Sequence, residues 1–196
     1  MTAIYLAAIM TDAVGRYILP FHVTAAVLSY AGFIACVIVC IGVSAGKFRR
    51  PALAVSACSG GLLAACVTLV TGAFWGYHAW GAAWVWEPRL TGMLLTTLFF
   101  AAWRLACGIL GLEAVRQAKL TASLVVLGLP GIAFTHLAVR LFGGIHPSKL
   151  SGSGSVQVPG WMFAVGIVLV GGLCALVAWA DWRHWQKMDD GRIAQR

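Results

Sequence analysis

Charge is what this chain has least of. Asp, Glu, Lys and Arg make up only 10% of its 196 residues, and Asp and Glu together number 6. A water-soluble domain carries about 25% charged residues, so a solvated globular fold is excluded. An apolar content of 61% and a mean hydropathy of +0.88 exclude a disordered or fibrous chain as well. No polar stretch is long enough for an extramembrane domain, no internal repeat is visible, and no CxxC pair of the metal-binding kind occurs. The first apolar run, Met1 to Met10, has no basic residue before it and is too short to cross a bilayer. It reads as an outer or interfacial segment, not a signal peptide.

What is present is apolar sequence in long blocks. Charge is absent from Tyr17 to Gly46, Pro51 to Trp86, Leu120 to Val139 and Leu150 to Ala180, and Arg104 alone interrupts Leu90 to Leu112. A spanning helix needs about 20 residues. The pattern predicts an all-α integral membrane protein, a polytopic helix bundle with about five spans near 22–45, 52–74, 90–110, 120–142 and 160–180. Residues 1–196 form a single membrane-embedded domain in this reading, with Ser151 to Ser155 a flexible outer connector.

The 14 Lys and Arg residues give a net charge of +8. Their positions matter more than their sum. Lys47, Arg49 and Arg50 follow the first span, Arg116 and Lys119 the third, and Arg183, Lys187, Arg192 and Arg196 the fifth, which makes those ends cytoplasmic. The lipid bilayer is therefore the expected partner of this basic excess, and nucleic acid is not. Arg104 is expected to snorkel toward the inner surface, and Asp181 to Arg196 to form a short charged tail. The six cysteines all lie in apolar stretches and read as buried core residues, including the pair Cys36 and Cys40 on one helical face. With 23 glycines and 9 tryptophans, the helices are expected to pack through small residues and anchor through indoles.

Four of the nine tryptophans, Trp75, Trp80, Trp84 and Trp86, fall within twelve residues on the outer side. A membrane-surface aromatic belt explains any one of them. Together, with Gly76 and Gly81 interleaved so that backbone approaches closely, they suit a large planar ligand stacked on indole faces.

Trp80-Gly-Ala-Ala-Trp84-Val-Trp86-Glu-Pro-Arg89-Leu-Thr91 resembles the tryptophan-rich WWD signature of haem-handling proteins in cytochrome c biogenesis, and of these the CcmC family most. Ile18 to Ala26 resembles that family's histidine segment, Thr68 to Trp75 the run before the signature, and Leu129-Pro130, His136 and Gly144-Ile145-His146 its later pattern. The likeness runs from about Arg16 to about Leu176. It departs in having Glu87 for the usual aspartate, Ala83 where tryptophan is common, and Leu141-Phe142 where an aromatic pair is often found. It also implies six spans with both ends cytoplasmic. The first of these has no counterpart among the five read here, so either a further span precedes Met1 or the chain is a five-span member with its N-terminus outside.

The resemblance implies a function as well: binding haem b at the outer face and delivering it to a periplasmic haem chaperone, without catalysis. ABC transporter subunits and a small single-span subunit are the implied partners, in a bacterial inner membrane. His22 and His146 match the haem-ligating pair and are expected as the axial iron ligands. The segment 75–91 is the expected haem platform through Trp75, Trp80, Trp84 and Trp86. Arg89, Arg140 or Lys149 are candidates for pairing with the propionates, and Glu87 for holding the signature loop through an ion pair with Arg89. His136 reads as a buried hydrogen-bonded histidine, a ligand-supporting group or an alternate ligand, His78 as rim and His184 as solvated. Competing readings are a haem b electron-transfer anchor, a CcsA- or CcmF-like haem lyase component, a transporter and a structural scaffold. A transporter would show polar groups near mid-membrane, of which the spans are nearly bare.

Overall fold

The computed structural model describes residues 2–117, 125–143 and 158–193, and all of the regular structure among them is helical. The helices are α1 (Thr2–Ser44), α2 (Ala52–Trp80), α3 (Pro88–Gln117) and α4 (Leu129–Phe142). A last helix, α5, comprises Gly160–Gly166, one π-helical turn at Ile167–Gly171, and Gly172–Ile193. Among the described residues, four stretches are long and apolar enough to cross a membrane: Tyr17–Ser44, Ala52–Trp80, Pro88–Gly111 and Gly160–Met188. The protein is a multi-pass membrane bundle.

Three features bear on the sequence reading. The N-terminal segment is not a separate interfacial piece, because α1 runs unbroken for 43 residues from Thr2, with Pro20 accommodated inside it. Of the fourth expected span, 120–142, the structure describes residues from 125 onward, with α4 over Leu129–Phe142, and the start of that span lies outside the described residues. The expected tail is not loose: Asp181 lies within the helical run Gly172–Ile193, which continues the fifth span. The expected connector at Ser151 to Ser155 lies outside the described residues.

Small residues set the packing. A Cβ on Gly32 would stand 2.6 Å from the Cα of Gly61, so α1 and α2 touch backbone to backbone there. The core builds outward from this contact, with Phe33 of α1 stacked on Phe100 of α3 at 4.1 Å between ring centroids. Cys36, Cys40, Cys58 and Cys107 fill the space around that stack, fully buried and unbridged, while Cys66 is exposed. Hydroxyls that face the interior are satisfied by their own helices: Thr68 donates to the carbonyl of Ala64, Thr96 to Gly92 and Thr135 to Gly131, each at 2.8 or 2.9 Å.

Arg104 does not snorkel freely. Its Nη2 donates to Oδ1 of Asp181 at 2.7 Å, its Nε donates to Oγ of Ser59 at 2.8 Å, and Ser59 donates to Oδ2 of Asp181 at 2.8 Å. Trp185 adds an indole N–H to Oδ1 of Asp181 at 3.2 Å, and the guanidinium lies 5.5 Å from its ring centroid. This closed ring joins α2, α3 and α5. A cation in an apolar helix is costly unless paired, and here the pair arises from residues 77 apart in sequence. Replacing Arg104 by Ala leaves the Asp181 carboxylate without its main partner and is expected to destabilise the detergent-solubilised protein by about 1–3 kcal/mol. Arg104→Ala with Asp181→Ala should cost less than the two single changes added together, measured by thermal unfolding. Strict additivity would show that the pair contributes nothing.

Candidate functional site

The tryptophan-rich loop owes its shape to the two helix ends it joins. Gly81 ends α2 in the left-handed conformation, φ 78°, and its N–H donates to the carbonyl of Tyr77 at 3.0 Å. α3 begins at Pro88, the position where proline suits a first helical turn. Glu87 just before it is buried, and its Oε1 accepts the N–H of Leu90 at 3.2 Å while its carbonyl accepts the N–H of Thr91 at 3.0 Å. Glu87 therefore holds the signature loop by capping α3. The sequence reading has Glu87 hold the signature loop through an ion pair with Arg89, and the cap on α3 holds the same loop through the backbone.

Behind this loop lies a cleft of about 580 Å³, counted out to its open mouth. His22, Ala26 and Tyr30 of α1 form one wall, Thr68, Leu69, Gly72 and Ala73 of α2 another, and Arg89, Leu90 and Met93 of α3 a third. Trp80 and Trp84 lean over it, and Thr135 of α4 closes its depth. The walls are apolar, with an imidazole, a phenol and a guanidinium as the groups of chemical interest.

His22 is the most tightly specified of these. Its Nδ1 lies 3.1 Å from the carbonyl oxygen of Thr68 and 3.1 Å from Oγ1 of Thr71. A carbonyl only accepts, so Nδ1 carries the proton and the lone pair resides on Nε2. Thr71 agrees with this tautomer: its hydroxyl donates to the carbonyl of Val67 at 2.6 Å, leaving its oxygen to accept from Nδ1. A neutral imidazole anchored through one nitrogen is the usual form of a metal-binding histidine. Gly72 makes room for the ring, since a Cβ there would stand 2.8 Å from Cε1 of His22.

The aromatic residues divide. Trp80 and Trp84 line the cleft, and the buried indole nitrogen of each has no hydrogen-bond partner among the described residues. Buried donors left in this state mark a place where a ligand's acceptor atoms would be welcome. Trp75 stands behind Trp80, edge to face at 4.9 Å, and Trp86 is 76% exposed, set against Trp84 at 5.7 Å. Trp75 and Trp86 thus buttress the two indoles that face the cleft. Gly76 does not serve backbone approach to a ligand: a Cβ on it would meet Trp80 at 2.7 Å, so it lets that indole fold back on its own helix.

Other expected residues lie apart from the cleft. Arg140 is exposed on the last turn of α4 and does not line it. His136 is exposed, edge to face with the Tyr30 ring at 5.7 Å. His78 packs against Phe74 and Tyr77 and does not line the cleft. His146 and Lys149 lie outside the described residues. Two polar wall residues, Tyr30 and Thr135, were missed in the sequence. Tyr30 lies eight residues beyond His22 in α1, a spacing that keeps both on one helical face and is the signal in the sequence for its place.

Comparison with known proteins fits this arrangement. The family model for CcmC, described as Heme exporter protein C, matches residues 9–188. Heme exporter protein C of Rhodobacter capsulatus is 48% identical over 40 residues, 20% of this chain and 16% of that protein. A cytochrome c biogenesis protein CcsA of Synechococcus is 37% identical over 90 residues, 44% of this chain and 27% of that protein. A putative cytochrome c biosynthesis ccmC-like mitochondrial protein of Marchantia polymorpha is 35% identical over 96 residues, 48% of this chain and 39% of that protein. The matched segments thus span well under half of these relatives. The family match extends over nearly the whole bundle and takes in the His22 helix as well as the tryptophan loop, and on that ground the chain belongs to the CcmC, or heme exporter protein C, family.

Proposed function

We propose that this protein binds haem in the cleft between His22 and the tryptophan loop and hands it on during cytochrome c maturation. The observation that carries this reading is the His22 imidazole, held through Nδ1 by Thr68 and Thr71 so that Nε2 is its unprotonated, metal-binding nitrogen, beside indoles and a cation in one cleft. Family membership and the names of the relatives, heme exporter and cytochrome c biogenesis proteins, agree with it.

Haem is cargo in this reading. His22 supplies one axial ligand and His146 the other. Trp80 and Trp84 offer apolar faces to the porphyrin edge, and Arg89 offers its guanidinium to a propionate. Arg140 is a further candidate partner for the second propionate. The cargo is haem b, received by a periplasmic haem chaperone with the help of ABC transporter subunits and a small single-span subunit. The basic helix ends then face the cytoplasm of a bacterial inner membrane and the tryptophan loop the periplasm. No covalent step is assigned to this chain, because the described residues of the cleft present a ligand, a platform and a cation and no acid/base pair. A haem b electron-transfer anchor would place its histidines deep between facing helices, and His136, the one candidate for such a place, is exposed.

The visible spectrum of protein purified from haem-replete cells tests the reading. The wild type is expected to show a Soret band, and His22→Ala and His146→Ala each to lose most of it and to pass less haem to a co-expressed chaperone. Retention of the full band by either variant would remove that residue as a ligand, and a wild type without haem would end the proposal. Gly72→Ala should also lower the haem content several-fold by displacing the imidazole, with little change in thermal stability. Combined with His22→Ala it should do no further harm, since both act on one group; additive losses would show that Gly72 works elsewhere.

A further inference from the structure

A second cavity lies at the other end of the bundle, between the turn that joins α1 to α2 and the C-terminal half of α5. α2 has 29 residues, so about 43 Å separates its two ends, and this cavity and the haem cleft are distinct sites. It holds about 530 Å³ out to its mouth and is lined by Arg49 and Arg50 from the turn, Ala52 from the first turn of α2, and Trp182, Trp185 and Gln186 from α5.

Its polar lining is almost entirely donor groups. A guanidinium and an indole can only donate, and among the described residues no carboxylate lines the cavity. The indole nitrogen of Trp182 is buried and has no hydrogen-bond partner among the described residues. α2 points its positive end here, with no side-chain cap at Pro51. The back wall is fixed: Trp185 is only 4% exposed, and the Asp181–Arg104 pair holds its indole by a 3.2 Å hydrogen bond and a cation over the ring. The site sits where apolar spans end in basic sequence, the level at which lipid headgroups lie.

We propose that this cavity binds a phosphate group, presented either by an anionic phospholipid headgroup or as free phosphate. Arg49 and Arg50 supply charge and paired donors, Trp182 supplies a buried donor, and Trp185 supplies a rigid wall. A choline headgroup is disfavoured because its cation meets two guanidinium groups.

Native mass spectrometry of the detergent-solubilised full chain tests this, with short-chain phosphatidylglycerol, phosphatidylcholine of the same chain length, and sodium phosphate added separately. Phosphatidylglycerol or phosphate is expected to bind roughly tenfold more tightly than phosphatidylcholine. Arg49→Gln with Arg50→Gln should abolish that preference, and Trp182→Phe, which keeps the ring and loses the N–H, should weaken binding several-fold. Lys47→Gln, next to the cavity but not lining it, should leave binding unchanged. Phosphatidylglycerol that excess phosphate cannot displace identifies the lipid as the source, whereas phosphate binding without lipid preference identifies the free ion. Equal binding of the two lipids with no phosphate binding overturns the proposal, as does an equal loss in Lys47→Gln. Asp189 and Asp190 follow one turn further along α5. If the arginines serve those carboxylates instead, the double Gln variant loses thermal stability while its phosphate and lipid binding stays as in the wild type, and the proposal fails. Haem content is not at issue in any of these outcomes, since the cleft shares no lining residue with this cavity.

Discussion

The backbone contact of Gly32 with Gly61 fixes the register of α1 on α2, and the cleft beside His22 follows from that register. The helices run antiparallel, so ten residues back from Gly32 lies opposite ten residues on from Gly61. Those positions are His22 and Thr71, and they are joined by a hydrogen bond of 3.1 Å. Lipid offers helices no hydrophobic drive to associate, so close van der Waals contact through small residues must do the work. The same contact therefore holds the bundle together and gives His22 its tautomer.

Polar groups within the bundle are few, and most are used twice. Thr71 satisfies its hydroxyl on its own helix and orients His22 with the same oxygen. Glu87 caps α3 and thereby sets the angle at which Trp84 and Trp86 leave the loop. Asp181 pairs with Arg104 and steadies Trp185. In a low-dielectric interior an unpaired group is costly, so a small number of paired ones can impose a specific arrangement on helices that are otherwise interchangeably apolar.

The aromatic loop shows how one cluster in sequence becomes two layers in space. Trp80 and Trp84 face the cleft, while Trp75 and Trp86 support them edge to face. Gly76 and Gly81 enter this scheme as enabling residues, one giving the Trp80 indole room and the other turning the chain out of α2. The density of indoles is thus partly contact surface and partly scaffold.

The sequence by itself determined the class of the protein: charge-free blocks longer than a bilayer is thick can only be spanning helices, and tryptophan spacing around Glu87-Pro88-Arg89 carried the family likeness. It also marked His22, Trp80, Trp84 and Arg89, which the fold brings to one cleft. Tertiary structure decided the rest. Tyr30 and Thr135 join the cleft because α1, α3 and α4 converge there, and Arg104 finds Asp181 because α3 and α5 meet at that depth. Helical periodicity tells which residues share a face of one helix, but in a chain where nearly every face is apolar it does not tell which face meets which neighbour. That choice rests on glycine contacts and isolated polar pairs between residues far apart in sequence, and it exists only once the helices have packed.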